Sequence, residues 1–336
     1  MSKLRVVQVS ESAFSVQGHG VHTAFVETVR GLKNLDTVEV SENNFKAADI
    51  RHIHTFGVYG LAQLLCGRGK KVVSAHVVPA SLVGSIVGAK YWIGVMTRYL
   101  RWFYNRADVL IAVSDETKHE LEAMGVRTRI EIIYNMIDTS RYHSSEAAKK
   151  AARAKYGIAE DAFVVIGNGQ VQPRKRVDTF VAMARALPDV QFIWVGGVPF
   201  GVIAADSGEM QRLMETAPAN VTFTGVVSLD EVRDYLAAGD VFVMTSQQET
   251  FGLAIVEAAA SGLPIVLRDL PDYDGTFRPD AVMCQEDGFA SAVERLRQDP
   301  AHYRDMQERA ARLAHRYDSK TIAAKLVDVY KTVLPR

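Results

Sequence analysis

An α/β fold of two doubly wound domains is the class that this sequence predicts, and three observations predict it. Short β-branched runs recur with helical patterns between them, the rhythm of parallel strands joined by right-handed crossovers. The runs fall into a group of six, a break, and a second group of six. At 336 residues with 48% hydrophobic content, the chain is long enough to bury two cores of ordinary domain size.

The first group of strands is read at Leu4–Val9, Val38–Val40, Ile50–His54, Lys71–Ala75, Val109–Val113 and Glu131–Ile133. The break, Tyr142–Glu160, holds His143-Ser144-Ser145 and the charged Ala/Lys/Arg stretch Glu146–Lys155, read as a linker followed by a solvent-facing helix. The boundary is therefore placed near residue 145, dividing the chain into domains 1–145 and 146–317. The second group is Phe163–Gly167, Gln191–Val195, Val221–Thr224, Val241–Met244, Pro264–Leu267 and Ala281–Met283. From about His302 to Pro335 the pattern is helical, with apolar Ile322, Leu326, Val329 and Val333; segment 318–336 is a candidate to pack back on the N-terminal domain.

Composition narrows the function classes. Lys+Arg and Asp+Glu balance at 39 each, so no global field recruits nucleic acid, and an anionic surface could be met only through a local cluster. Two cysteines, Cys66 and Cys284, are too few for a disulfide framework, and a reducing cytoplasmic compartment is the default expectation. No run approaches the roughly 20 apolar residues of a membrane span, and the N-terminus lacks the apolar stretch of a leader. A soluble or peripheral protein is expected.

The strongest chemical signal is Glu249-Thr-Phe-Gly-Leu-Ala-Ile-Val-Glu257, two carboxylates eight positions apart after the strand Val241–Met244. It runs into a helix ended by Gly262 and Pro264. Glu249 falls on the strand-to-helix loop. The amides around Phe251, Gly252 and Leu253 open the helix and so form an anion site. Glu257 lies a little over one turn further on, where it can accept hydrogen bonds from a diol. A capped helix carrying two solvated acids is the plainer alternative.

The second signal is Gly167-Asn-Gly169-Gln-Val-Gln-Pro173-Arg174-Lys175-Arg176. A strand ends in a glycine-rich loop and three consecutive cations precede the next helix. At the carboxyl end of a strand, such a cluster suits a diphosphate, with Arg giving bidentate contacts and Lys a point charge. An exposed basic loop is the alternative. The two signals belong together only if both loops lie at the same carboxyl edge.

A third, weaker signal is Ser15-Val-Gln-Gly18-His19-Gly20, after the first strand, where a G-x-G lacks the third glycine of a dinucleotide fingerprint. Histidines also concentrate early, at His19, His22, His52, His54 and His76. His52 and His54 flank Ile53 and point to one face of a strand. No carboxylate or cysteine accompanies them at metal-ligand spacing, so His52 is read as structural and His76 as a strand-end site residue.

Together these motifs resemble the family-4 glycosyltransferases of the GT-B type, retaining and metal-independent enzymes with two Rossmann-like domains facing a central cleft. The resemblance covers nearly the whole chain. It implies that Gly18 and Gly20 approach the donor phosphate and that His76 lies near the transferred sugar. It further implies that Lys175, with Arg174 beside it, holds the diphosphate, that Glu249 contacts sugar hydroxyls, and that Glu257 binds the ribose. The common family loop reads Gly-Arg and later Lys-Gly. Here Gln170 stands for that Arg and Arg176 for the last Gly, which leaves the cation role to Arg174 and Lys175.

Val16–Val21, Gly169–Lys175 and Leu267–Tyr273 are similar to bacterial enzymes that build glycosyl- and diglycosyl-diacylglycerols. That likeness implies transfer of glucose or galactose from a UDP-sugar to a diacylglycerol or membrane glycolipid, at the inner face of the cell membrane. No cofactor is implied, and cations replace the usual metal. Retention through a covalent intermediate would need a carboxylate beneath the anomeric carbon. None can be placed there, so same-face attack through an ion-pair-like state is expected. A soluble or other lipid-linked saccharide acceptor, a sugar-nucleotide epimerase of the same architecture, and a non-catalytic binding protein are the rivals.

Segment Ala89–Arg106 is the expected membrane contact. On a helix, Lys90, Gly94, Arg98, Arg101 and Asn105 fall on one narrow face, with Trp92, Trp102 and other rings over the rest. Trp and Tyr beside Arg and Lys is the chemistry of a bilayer interface. An amphipathic helix packed on the N-terminal sheet is the alternative, and the two are compatible.

Overall fold

In the computed structural model of the protein, residues 3–14, 20–79, 89–198 and 207–335 are described. Gly18 and the side chain of Lys90 lie outside the described residues. The chain separates into two compact units. Of the described residues, those up to Pro79, Ala89–Asp138 and those from Tyr317 onward form the first; Thr139–Arg316 form the second.

The first unit holds β1 (Leu4–Val9), α1 (Gly20–Lys33), β2 (Val38–Glu42), β3 (Ile50–Ile53), α2 (Val58–Cys66), β4 (Lys70–Ala75), α3 (Ala89–Tyr104), β5 (Val109–Ala112), α4 (Asp115–Ala123) and β6 (Ile130–Ile132). Its six strands are parallel, in the order β2-β1-β3-β4-β5-β6. Side chains alternate through the sheet. Val7, Ile53, Val73 and Leu110 join a cluster with Leu100, Phe103 and Leu121 on one face. Val6, Ile50, Val72 and Val109 join Ile322, Leu326, Val329 and Tyr330 on the other. Both faces are thus covered, as a parallel sheet requires.

The second unit holds α5 (Glu146–Tyr156), β7 (Val164–Asn168), α6 (Val177–Ala186), β8 (Gln191–Val195), α7 (Ser207–Glu215), β9 (Val221–Phe223), α8 (Leu229–Ala238), β10 (Val241–Met244), α9 (Leu253–Ala260), β11 (Ile265–Arg268), β12 (Val282–Cys284), α10 (Phe289–Gln298) and α11 (Pro300–Arg316). Its sheet is again six-stranded and parallel, in the order β12-β11-β10-β7-β8-β9. The last helix, α12 (Ser319–Thr332), returns to the first unit, where its apolar stripe Ile322, Ala323, Leu326, Val327 and Tyr330 covers the sheet.

The helical tail is two helices, α11 and α12, in different units, parted where Asp318 caps α12 by accepting the Lys320 N–H at 2.9 Å. One reading of the sequence is corrected: the charged helix α5 is not simply solvent-facing. Arg153 is buried, with Nη2 2.7 Å from Asp240 and Nε donating to the Ala238 carbonyl at 3.0 Å. Asp240 also takes the Val164 N–H at 2.6 Å, so a charged side chain ties α5 to the start of β7.

In each sheet the strand order reverses once: between β1 and β3 in the first, and between β7 and β10 in the second. At such a switch point the loops at the carboxyl ends of two neighbouring strands part in opposite directions and leave a crevice. The loops after β7 and β10 carry the two strongest motifs of the sequence.

Candidate active site

In the second unit, β7 ends at Asn168 and Gly169 follows at φ 146°, a conformation that favours glycine. The Gly169 carbonyl accepts the Trp194 indole N–H at 2.9 Å, and a Cβ here would lie 3.3 Å from Lys175 Cε. The chain then makes a single turn over Pro173–Lys175. Three hydrogen bonds fasten this turn to the loop after β10. The Gln247 N–H donates to the Arg174 carbonyl at 2.8 Å, the Thr245 hydroxyl to the Lys175 carbonyl at 2.8 Å, and Arg174 Nη1 to the Gln248 carbonyl at 3.1 Å.

That stapling brings Lys175 and Glu249 together. Lys175 Nζ lies 2.5 Å from Glu249 Oε1, and Arg174 Nη1 is 3.8 Å from Oε2. Lys175 and Glu249 are both buried, each 8% exposed. Burial lowers the lysine's proton affinity and Arg174's charge lowers it further, which Glu249 only partly offsets. Burial alone would raise the glutamate, but the charges of Lys175 and Arg174 outweigh it, and the carboxyl sits below its ordinary range. One anion thus stands against two cations and is held ionised. Near it, the buried Tyr273 hydroxyl and Gln248 Oε1 have no hydrogen-bond partner among the described residues.

Arg176, the third cation of the loop, faces elsewhere. Its Nη2 lies 2.8 Å from Asp178 and 2.6 Å from Glu286, and Arg268 Nη1 meets the same Glu286 at 2.6 Å. Arg268 Nε donates to the Thr245 carbonyl at 2.8 Å, so this cluster braces the loop after β10 from behind. Of the three consecutive cations, only Arg174 and Lys175 therefore stand beside Glu249. Arg176 sits at φ 49°, ψ 51°, the left-handed region. A glycine at that position would adopt it without strain, which accounts for glycine in the related loop.

Glu249 lies on the loop before α9, as read from the sequence. Gly252 caps that helix at φ 87°, ψ 55°, and Leu253 is its first residue; Phe251 and Leu253 are buried. Glu257 is buried one turn on and its Oε1 accepts the Tyr142 hydroxyl at 3.2 Å. Sequence patterns gave no sign of Tyr142, which lies in the linker 115 positions away.

In the first unit, His76 follows β4 and is buried, with Nε2 3.0 Å from His54 Nδ1. Gly20 is the first residue of α1 and is exposed. Glu11, unremarked in the sequence, caps α2: its carboxylate takes the N–H groups of Tyr59 and Gly60, the latter at 3.1 Å. Among the described residues no group of three or more His, Cys, Asp or Glu could hold a metal ion.

On α3, Leu100, Phe103 and Tyr104 are buried against the sheet, whereas Arg98 and Arg101 are exposed. Trp92 is half-buried, and Trp102 remains 40% exposed with the Arg106 guanidinium 4.3 Å from its ring centre. Among the described residues no helix is long and apolar enough to cross a membrane.

Residues 160–299 match the family described as glycosyl transferases group 1, and residues 19–141 match glycosyltransferase family 4. The chain is 33% identical to the alpha-galactosylglucosyldiacylglycerol synthase of Streptococcus pneumoniae over 339 residues, covering 98% of this chain and 90% of that protein. It is 28% identical to the processive diacylglycerol alpha-glucosyltransferase of Acholeplasma laidlawii over 194 residues, 57% of this chain and 58% of that protein. Among solved structures, Anabaena HepE in complex with UDP and glucose superposes with a TM-score of 0.78 at 19% identity, covering 98% of this chain and all of that one. Sucrose-phosphate synthase from Thermosynechococcus elongatus reaches 0.80 at 16% identity, covering 99% of each chain. At those identities the likeness speaks for the fold.

Proposed function

The chain belongs to the family-4 glycosyltransferases of GT-B fold and is a hexosyltransferase; from that premise we propose that it moves glucose or galactose from a UDP-sugar to a diacylglycerol or membrane glycolipid, with retention at the anomeric carbon. The donor reading rests on one observation above the others. Arg174, Lys175 and Glu249 converge, mostly buried, at the switch point of the second sheet. Charge builds on the departing diphosphate, and fixed cations stabilise it better than reorienting water does. The amides opening α9 at Gly252 and Leu253 add partial positive charge, with no metal required. Glu249 is ionised beside them and takes sugar hydroxyls, while Glu257 takes the ribose.

The acceptor reading rests on similarity along 90% of a diacylglycerol glycolipid synthase, and on the exposed Arg98, Arg101 and Trp102 of α3 as a lipid-facing patch. Incubation with UDP-glucose or UDP-galactose tests both, with and without vesicles holding diacylglycerol or glucosyldiacylglycerol. Lipid-dependent UDP release with an α-linked glycolipid product is the expected result. Sugar epimerisation without lipid, or donor binding without turnover, would replace the proposal.

A further inference from the structure

The stretch Leu267–Tyr273 contributes Arg268, the last residue of β11, and every nitrogen of its guanidinium is engaged. Nε donates to the Thr245 carbonyl at 2.8 Å, Nη1 to Glu286 Oε2 at 2.6 Å, and Nη2 to the Thr179 hydroxyl at 3.3 Å. Its central carbon lies 5.7 Å from the centre of the Phe289 ring. Arg268 and Thr245 are both buried, so these bonds form away from water.

Thr245 is the pivot between this guanidinium and the cations of the donor loop. The ladder of β10 and β11 ends at the pair Met244 and Leu267. One residue beyond it, the Thr245 carbonyl takes its hydrogen bond from the Arg268 side chain instead. The Thr245 hydroxyl in turn donates to the Lys175 carbonyl at 2.8 Å, and two residues on the Gln247 N–H holds the Arg174 carbonyl at 2.8 Å. Arg268 thus reaches Lys175 in two bonds through one buried threonine. A buried carbonyl without a donor is costly, so loss of Nε drives the loop after β10 to shift until that carbonyl is satisfied. Lys175 shifts with it, and a displacement on the order of 1 Å is enough to rob a positioned group of much of its effect.

We propose that Arg268 is a positioning residue of the diphosphate site: it fixes Thr245, Thr245 fixes Lys175, and the lysine is thereby held where it meets the second phosphate of UDP. The inference rests on the reading of Lys175 as the residue that holds the donor diphosphate. It gives the stretch Leu267–Tyr273 a task in donor binding, through a side chain 93 positions after the lysine it serves.

Calorimetry of UDP and of UMP with the full chain isolates the second phosphate. The ratio of the two affinities reports on the lysine, whereas a general loosening of the unit weakens both nucleotides alike. Arg268→Lys keeps a cation for Glu286 but lacks the planar fork that spans Glu286 and Thr245 together. Thr245→Val keeps the shape of the side chain and removes the hydroxyl. Each variant should lower the UDP-to-UMP affinity ratio about three- to tenfold, with UMP affinity within about twofold of the unmodified protein. Lys175→Ala should lower the ratio at least as far, and Arg268→Lys added to it should lower the ratio no further, because the two act through one group. Val241→Ala, in the core at the opposite end of β10, should lower Tm and leave the ratio unchanged. An unchanged ratio in either folded variant, an equal loss of both nucleotides, a further fall in the Lys175→Ala background, or the same fall in Val241→Ala overturns the inference. An unchanged ratio in Lys175→Ala itself overturns instead the reading that gives this lysine the diphosphate.

Discussion

Lys175 and Glu249, 74 positions apart in sequence, form a buried ion pair at 2.5 Å where the loops after β7 and β10 meet. The pairing changes how either residue responds to substitution. Glu249 is the group that raises Lys175's proton affinity against burial and Arg174. For Lys175 to hold a diphosphate it must be protonated, so activity should fall on the alkaline side at a pH below the ordinary lysine range. Glu249→Gln removes the raising charge, and this limb of the kcat/KM profile should move further towards acid. An unmoved limb would separate the lysine from the reaction.

Lys175→Ala removes a charge-assisted bond of roughly 1.5–3 kcal/mol and should cost about ten- to a hundredfold in kcat/KM. Because the two residues touch, the double variant with Glu249→Gln should cost less than the product of the single effects. Strict additivity in a double-mutant cycle would show that the pair is incidental to catalysis.

Glu257→Gln should chiefly weaken UDP binding, read by calorimetry. Tyr142→Phe removes the hydroxyl that donates to Glu257 at 3.2 Å and should weaken UDP in the same sense by about two- to tenfold. Equal loss of UDP affinity in Glu249→Gln and Glu257→Gln would contradict the division between sugar and ribose.

Cations rather than a divalent ion are proposed to carry the diphosphate. Excess EDTA should therefore leave turnover intact, and added Mn²⁺ should not rescue Lys175→Ala. Activity abolished by EDTA and restored by Mn²⁺ would refute this.

The parts legible in the sequence were those set by local pattern. Each strand core announced itself through β-branched runs, and Glu249, Glu257 and Lys175 were singled out by two carboxylates eight positions apart and by a basic glycine loop, each following a strand. Partnership was not legible. That the β7 loop lies beside the β10 loop follows from a strand order that no local window carries. Three consecutive cations read alike, yet Glu286, 110 positions from Arg176, turns one of them away from the other two. Tyr330 reads as one more apolar residue on a helical stripe, and only its bond to His52, 278 positions away, shows a polar task. Arg153 is similar: a lysine- and arginine-rich helix looks solvated until Asp240 is seen beneath it.

Glu286 supplies a stability test away from the reaction. Hydrogen bonding to Arg268, above all, holds its carboxyl at about 2, down from an ordinary 4.5; burial opposes it, and Thr179 and the charges of Arg268 and Arg176 add to the lowering. A depressed folded value means that the contribution is complete above the unfolded value and is lost as pH falls through the folded one. Stability should therefore decline between 4.5 and about 2. The side chain is half exposed, so solvent screening limits the effect to about 1 kcal/mol or less. Glu286→Gln should flatten thermal stability over that window; an unchanged slope would mean the carboxylate is not held by this cluster.

The last prediction concerns α3. Its two readings from sequence were a bilayer contact and an ordinary packed helix, and the burial divides them by face. Leu100, Phe103 and Tyr104 are consumed by the core. Val95 is 73% exposed, Trp102 is 40% exposed under Arg106, and Arg98 and Arg101 are exposed. An exposed indole stacked with a guanidinium puts an amphipathic ring and a cation at the same depth, the arrangement suited to headgroups. Each cation near an anionic surface contributes about 1 kcal/mol, so neutralising two is worth roughly thirtyfold in membrane affinity and reversing them more. Arg98→Glu with Arg101→Glu should therefore release the protein from anionic liposomes in flotation, while UDP binding, assigned to the second unit, survives. Raising the salt should weaken the unmodified protein's flotation in the same direction, because exposed charges are screened. Flotation unchanged in the folded double variant would remove α3 as the anchor and leave the glycolipid to be met by another surface.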